Sequence, residues 1–227
     1  MKLALAAVVA ALAAAAALAP AGGATNECHG IQMCIRVVGP WVVVPPRGKA
    51  QYLLTCPGGR SVVAGLDAQV TSRDVRVEFV ARIGAPVQPG VTTTRYAVFR
   101  AVSISRRVQV FQPLLGCVPL AGGGGRSTVS AKVTPPGQSP EYRSRITLLS
   151  PGSAGFVSVS CRGRERLVDS WHALAFRTKL PPPLSNASRV EASTVVLGKK
   201  VVLSATASDG LSIDAHAVVQ VGAECAP

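Results

Sequence analysis

Few residues in this chain have the types and spacing that catalysis needs. The histidines are His29, His172 and His216 only. Asp169-Ser170-Trp171-His172 brings an acid, a hydroxyl and an imidazole close in sequence. A nucleophilic triad needs those groups linked in space by a hydrogen-bond chain. On a strand, Asp169 and His172 differ by an odd number and point to opposite faces. Gly152-Ser153-Ala154-Gly155 is one residue short of a Gly-x-Ser-x-Gly nucleophile elbow. The simpler reading puts Trp171 in a core with its polar neighbours facing water. The chain is expected to be non-enzymatic.

Cofactor signals are equally thin. Cys28-His29 with Cys34 offers three metal ligands at most, outside the usual zinc spacing. Gly122 to Gly125 run into Arg126-Ser127 without the Gly-Lys-Ser/Thr ending of a phosphate loop. Asp209-Gly210 with Asp214 lacks the closing Glu of a calcium loop and reads as a turn. No metal or cofactor is expected. Asn186-Ala187-Ser188 fits the N-glycosylation acceptor pattern.

Charge is the one global functional signal. The chain has 227 residues, with 24 Lys and Arg against 11 Asp and Glu, a formal +13. Arginine outnumbers lysine 18 to 6. A guanidinium can hold phosphate or carboxylate with two parallel hydrogen bonds. Arg143 and Arg145 are two apart, as are Arg162, Arg164 and Arg166, so each set is expected to line one strand face. Arg106-Arg107 forms a further pair. The expected partner is an anionic cell-envelope polymer or lipid head groups, met through Arg143, Arg145, Arg162, Arg164 and Arg166. A genome rich in G and C would also favour arginine, but it explains the shortage of acids less well. Only 4% of residues are aromatic, too few for base stacking, so nucleic acid is not expected.

The elements that must position these arginines begin after a leader. Met1-Lys2, the Leu/Ala/Val run Leu3 to Ala19, and Pro20 to Ala24 have the layout of a secretory signal peptide. Residues 1–24 are therefore expected to be removed, leaving no transmembrane anchor and a secreted, extracellular or periplasmic protein. A chain that is 48% hydrophobic and 15% charged is not a disordered tail.

Six cysteines follow the leader: Cys28, Cys34, Cys56, Cys117, Cys161 and Cys225. An even number on an exported chain reads as three disulfides. An internal repeat selects their pairing. Residues 41–56 align with residues 146–161 at an offset of 105, with Pro46 on Pro151 and Cys56 on Cys161. The match runs on to Gly58 on Gly163, Val62-Val63 on Leu167-Val168 and Leu66 on Trp171. Val110 to Cys117 align with Val218 to Cys225 at an offset of 108, with Gln112 on Gln220. The middles do not align. Each copy then owns one bridge, Cys56–Cys117 and Cys161–Cys225, and Cys28 pairs with Cys34.

Valine recurs at period two. Strands are expected at Asp74 to Val80, Arg107 to Phe111, Arg145 to Leu149, Phe156 to Ser160 and Ile213 to Val221. Leu167, Trp171 and Leu174 have helical spacing, but the matching first-copy segment is Val-rich, so Leu167 to Phe176 is also expected to be a strand. Two more turn at Gly198-Lys199 within Ser193 to Ala207. The expected fold is all-β, with two tandem antiparallel β-sandwich-like units at residues 25–119 and 140–227. The Gly/Pro-rich stretch 120–139 joins them, with room for one strand at Ser127 to Val133. One larger sandwich or barrel is the alternative. Cysteines about 60 residues apart, with Trp171 ten residues after Cys161, loosely resemble the immunoglobulin-like sandwich. No Tyr precedes Cys117 or Cys225 by two, and Leu66 stands where the first copy would need its Trp.

The functional expectation is a secreted binding or surface-associated β protein. A structural or accessory module acting only through protein contacts is the alternative. A secreted hydrolase would need an acid, base and nucleophile brought together.

Overall fold

The computed structural model describes residues 34–58, 61–80, 95–119 and 140–227. The leader, Cys28, His29 and the stretch 120–139 lie outside the described residues. The described chain is all-β. Its strands are β1 (Ile35–Val38), β2 (Trp41–Val44), β3 (Lys49–Thr55), β4 (Ser61–Val70), β5 (Val75–Val80), β6 (Tyr96–Ser103) and β7 (Gln109–Pro119). They continue with β8 (Glu141–Leu149), β9 (Ala154–Ser160), β10 (Arg166–Arg177), β11 (Val190–Leu197), β12 (Lys200–Ala207) and β13 (His216–Ala226). Valine-rich alternation produces these strands because a β-branched side chain fits a half-buried pleated surface. A short 3-10 turn, Leu184–Arg189, follows Pro181-Pro182-Pro183. The last strand starts at His216 rather than Ile213, because Ile213 to Ala215 belong to a turn closed by the Ala215 N–H on Ser212 C=O.

All described pairings are antiparallel. The largest sheet has seven strands in the order β1-β7-β2-β10-β13-β8, with β4 on the other edge of β7. It joins the two halves of the chain, since Trp41 and Val42 of β2 face Phe176 and Ala175 of β10. Two three-stranded sheets, β3-β6-β5 and β11-β12-β9, complete the fold. The pairing pattern recurs along the chain. β4 and β10 each flank the strand that ends in a cysteine, β7 or β13, and each carries an irregularity one residue past the partner of that cysteine.

Alternate residues of the long sheet serve two cores. Val42, Val44, Phe111, Leu115, Ala173, Ala175 and Val218 pack with Tyr52 and Phe99 from the β3-β6-β5 sheet. Phe176, Ala217, Val219, Val221 and Ala223 pack instead with Val159, Val201 and Leu203 from the other small sheet. Each core holds one disulfide. Cys56–Cys117 closes 61 residues and Cys161–Cys225 closes 64, the pairing expected from the repeat. A loop of that length stabilises by about 4 kcal/mol in the chain-entropy account. Cys34 is also disulfide-bonded.

Trp171 departs from expectation. The irregularity between Leu167 and Asp169 shifts the β10 register by one, so Trp171 faces away from the Cys161–Cys225 core. It lies across the strand from Gly222 and against Tyr142, whose ring centroid is 6.2 Å away. A Cβ on Gly222 would collide with the indole, so only glycine fits there. Tyr142 in turn contacts Tyr96, and Arg100 reaches both Tyr142 and Glu224 at 3.4 Å. These groups bind β6 in the first half to β8 and β13 in the second.

The deepest polar contact at this junction is Gln220. Its Oε1 accepts from the Leu53 N–H at 2.7 Å, and its Nε2 donates to the Leu53 C=O at 2.9 Å. Both groups are buried, so neither backbone partner has water as a substitute. Replacing Gln220 with Leu should lower unfolding free energy by about 2–3 kcal/mol by stranding both Leu53 groups. Urea unfolding of the two proteins checks this; an unchanged midpoint would show that the junction does not depend on the amide.

Candidate functional site

The arginines singled out by charge gather at one end of the second half, but not as two strand faces. Arg143 and Arg145 are on β8 as expected. Arg162 and Arg164 belong to the turn between β9 and β10, and only Arg166 is in a strand. The reason is local. After Cys161 the chain reverses through Gly163, whose φ of 49° favours glycine, and Glu165 N–H closes the turn on Arg162 C=O at 2.9 Å.

Glu165 organises this end. Its carboxylate accepts two hydrogen bonds from the Arg143 guanidinium, at 2.6 and 2.9 Å. The same carboxylate accepts from the Arg162 N–H at 2.7 Å. The Arg143 hydrogen bond holds the Glu165 carboxyl below its ordinary value, with the Arg162 N–H adding to the effect. Arg143 is therefore committed to holding the turn in place. It is not a free cation, in contrast to the role expected for it.

Two cations that sequence reading left out complete the site. The β11–β12 hairpin turns at Gly198, with φ 61°, and Lys199. Lys199 Nζ donates to Gly163 C=O at 2.8 Å, and Lys199 C=O accepts from Cys161 N–H at 3.1 Å. Lys200 pairs with Ser160 across the sheet. The two turns thus lie side by side. Arg145 and Lys200 share a groove of about 400 Å³ with Phe156, Val157, Ser158 and Val202. Among the described residues, no salt bridge ties up Arg145, Arg162, Arg164, Arg166, Lys199 or Lys200, although the Arg162 charge also acts on Glu165. The hairpin turn at Gly198-Lys199 was legible. Its position beside Cys161 depends on pairing β12 with β9, which a linear reading does not supply.

The other candidates form no reactive cluster. Asp169 accepts from the neighbouring Ser170 N–H at 2.8 Å. Among the described residues, no hydrogen bond joins the side chains of Asp169, Ser170 and His172. Cys161, Glu165 and Cys225 offer ligand atoms within 4.8 Å of one another, but both sulfurs are in the disulfide and cannot act as thiolates. Asn186 is buried, and its amide nitrogen is enclosed, so the glycosylation pattern does not present an accessible acceptor.

No family model matches the chain, and neither a curated protein nor a solved structure matches it. Two disulfides fit an oxidising, extracellular-type environment. Among the described residues, no helix is long and apolar enough to cross a membrane.

The Glu165 hub yields a pH test. A depressed carboxyl contributes stability above its unfolded value, and that contribution is lost as pH falls through the folded value. Glu165→Gln should lower stability by about 1 kcal/mol at neutral pH, the scale of a partly exposed ion pair. The gap between wild type and variant should close in acid below the ordinary carboxylate range. Thermal unfolding across pH checks both; a gap independent of pH would remove the ion pair as its cause.

Proposed function

We propose that this is an exported, non-enzymatic β protein that docks on an anionic component of the cell envelope, a polymer or lipid head groups. The site is the basic end formed by Arg145, Arg162, Arg164, Arg166, Lys199 and Lys200. The carrying observation is that these cations come together from three strands and two turns without a salt-bridged carboxylate among the described residues. Unpaired cations so close together raise the local potential and attract polyanions. The leader supplies the export route, and the disulfides fit its destination.

In this reading the chain is a tandem duplication of a sandwich-like unit, residues 25–119 and 140–227 joined by 120–139. Strand pairing supports it beyond the cysteines. The order β3-β6-β5 recurs as β9-β12-β11. Val42 faces Phe111 as Thr147 faces Val219, which keeps the offsets of 105 and 108. Val63 and Leu167 both face the terminal cysteine, an offset of 104 that corrects the linear alignment by one residue. Even the middles then correspond: Leu53 and Val98 pair as Ser158 and Val202 pair.

Each cation near an anionic surface contributes about 1 kcal/mol. Replacing Arg162, Arg164 and Arg166 together with Gln should weaken envelope binding on the order of a hundredfold at low salt. Wild-type binding should also fade as salt rises. Co-sedimentation with purified envelopes over a salt series measures both. Equal binding by the triple variant would move the site elsewhere. Binding that persists in high salt would favour a protein-contact module instead.

A further inference from the structure

The outer face of the β9-β12-β11 sheet has an apolar character that the basic end alone does not explain. Register puts Phe156 and Ser158 of β9, Lys200 and Val202 of β12, and Val195 and Leu197 of β11 on that one face. Phe156 is 77% exposed, Val195 57% and Leu197 60%. Soluble proteins scatter single apolar side chains over their surface, whereas a cluster rimmed by polar groups marks a binding surface.

The first half shows what such a face does when it is covered. The positions of Ser158 and Val202 in the pairing pattern are those of Leu53 and Val98. Leu53 is 6% exposed and Val98 is fully buried. Gln220 of the second half meets the free edge of β3 at the Leu53 backbone, and Arg100, on the outer face with Val98, bonds to Tyr142 and Glu224. In the first half the face is therefore an internal junction. In the second half no described residue covers it, and Lys200 stands where the first half has Tyr96. Arg145 reaches the same groove from β8.

We propose that this open face docks on an anionic lipid bilayer, with Phe156, Val195 and Leu197 entering the headgroup boundary while Arg145, Lys199 and Lys200 meet phosphate. The inference rests on the anionic-envelope reading and assigns its ligand to lipid. The chemistry is that of an interfacial anchor, in which apolar side chains and flanking cations act together and neither suffices alone. A second copy of this chain is a poorer occupant, because a formal charge of +13 opposes self-association through a basic face.

The test is sedimentation of the mature protein with phosphatidylcholine vesicles, with vesicles containing a third phosphatidylglycerol, and binding to soluble polyphosphate. Wild type should bind the anionic vesicles at least about tenfold more tightly than the neutral ones. A Phe156→Ser, Val195→Ser, Leu197→Ser variant should lose about tenfold or more on anionic vesicles and keep its polyphosphate affinity. All three side chains are exposed, and circular dichroism would verify that the variant is folded. Equal vesicle binding by wild type and variant would overturn the insertion. Polyphosphate binding without vesicle binding would overturn the lipid assignment and leave polymer docking standing. Binding to neither would remove both. A dimer by analytical ultracentrifugation that buries Phe156 would assign the face to a second copy and also overturn the proposal.

Discussion

The pairing of β2 with β10 decides which surfaces of this protein are available. It makes one sheet from strands of both halves and brings β3 over the face of β10 and β13 that carries Ala173, Ala175 and Val218. Gln220 then fixes the distance by meeting both backbone groups of Leu53. Gln220 thereby closes the free edge of β3, and the outer face of that sheet is taken up by the contacts of Arg100 with Tyr142 and Glu224. Its counterpart in the second half has no neighbour among the described residues to cover it. Every free cation in the candidate site borders that open face or the adjoining turn.

The same economy holds among the charges. Glu165 neutralises Arg143 and orders the turn through the Arg162 N–H, so one acid shapes the site without quenching it. Lys199 adds a second tie between the two turns through Gly163. The remaining cations keep their field for a partner. Exposed pairs of opposite charge elsewhere, such as Arg76 with Glu78, are isolated and create no comparable concentration.

Much of the fold was legible because β-structure records itself at period two and because the cysteines repeat. Val-rich alternation located β5, β8 and β9, the repeat located β10, and the repeated cysteines Cys56, Cys117, Cys161 and Cys225 selected both described bridges. Three features were hidden for physical reasons. One inserted residue after Leu167 reverses the facing of Trp171, and a pattern count cannot detect a bulge. A turn after Cys161 breaks the alternation that made Arg162, Arg164 and Arg166 look like a strand face. The shared sheet and the meeting of Lys199 with Gly163 are long-range contacts, set by tertiary pairing and not by local preference. Charge imbalance pointed to the basic end, while Glu165, its organiser, was lost among the cations around it.

The most direct measurement is lysine labelling of the free and envelope-bound protein, read by mass spectrometry. Lys49 and Lys179 are exposed and lie outside the basic end, so they serve as internal controls. The expected result is protection of Lys199 and Lys200 on binding, with Lys49 and Lys179 unchanged. Protection of Lys49 or Lys179 with Lys199 and Lys200 still reactive would contradict the assignment of this surface.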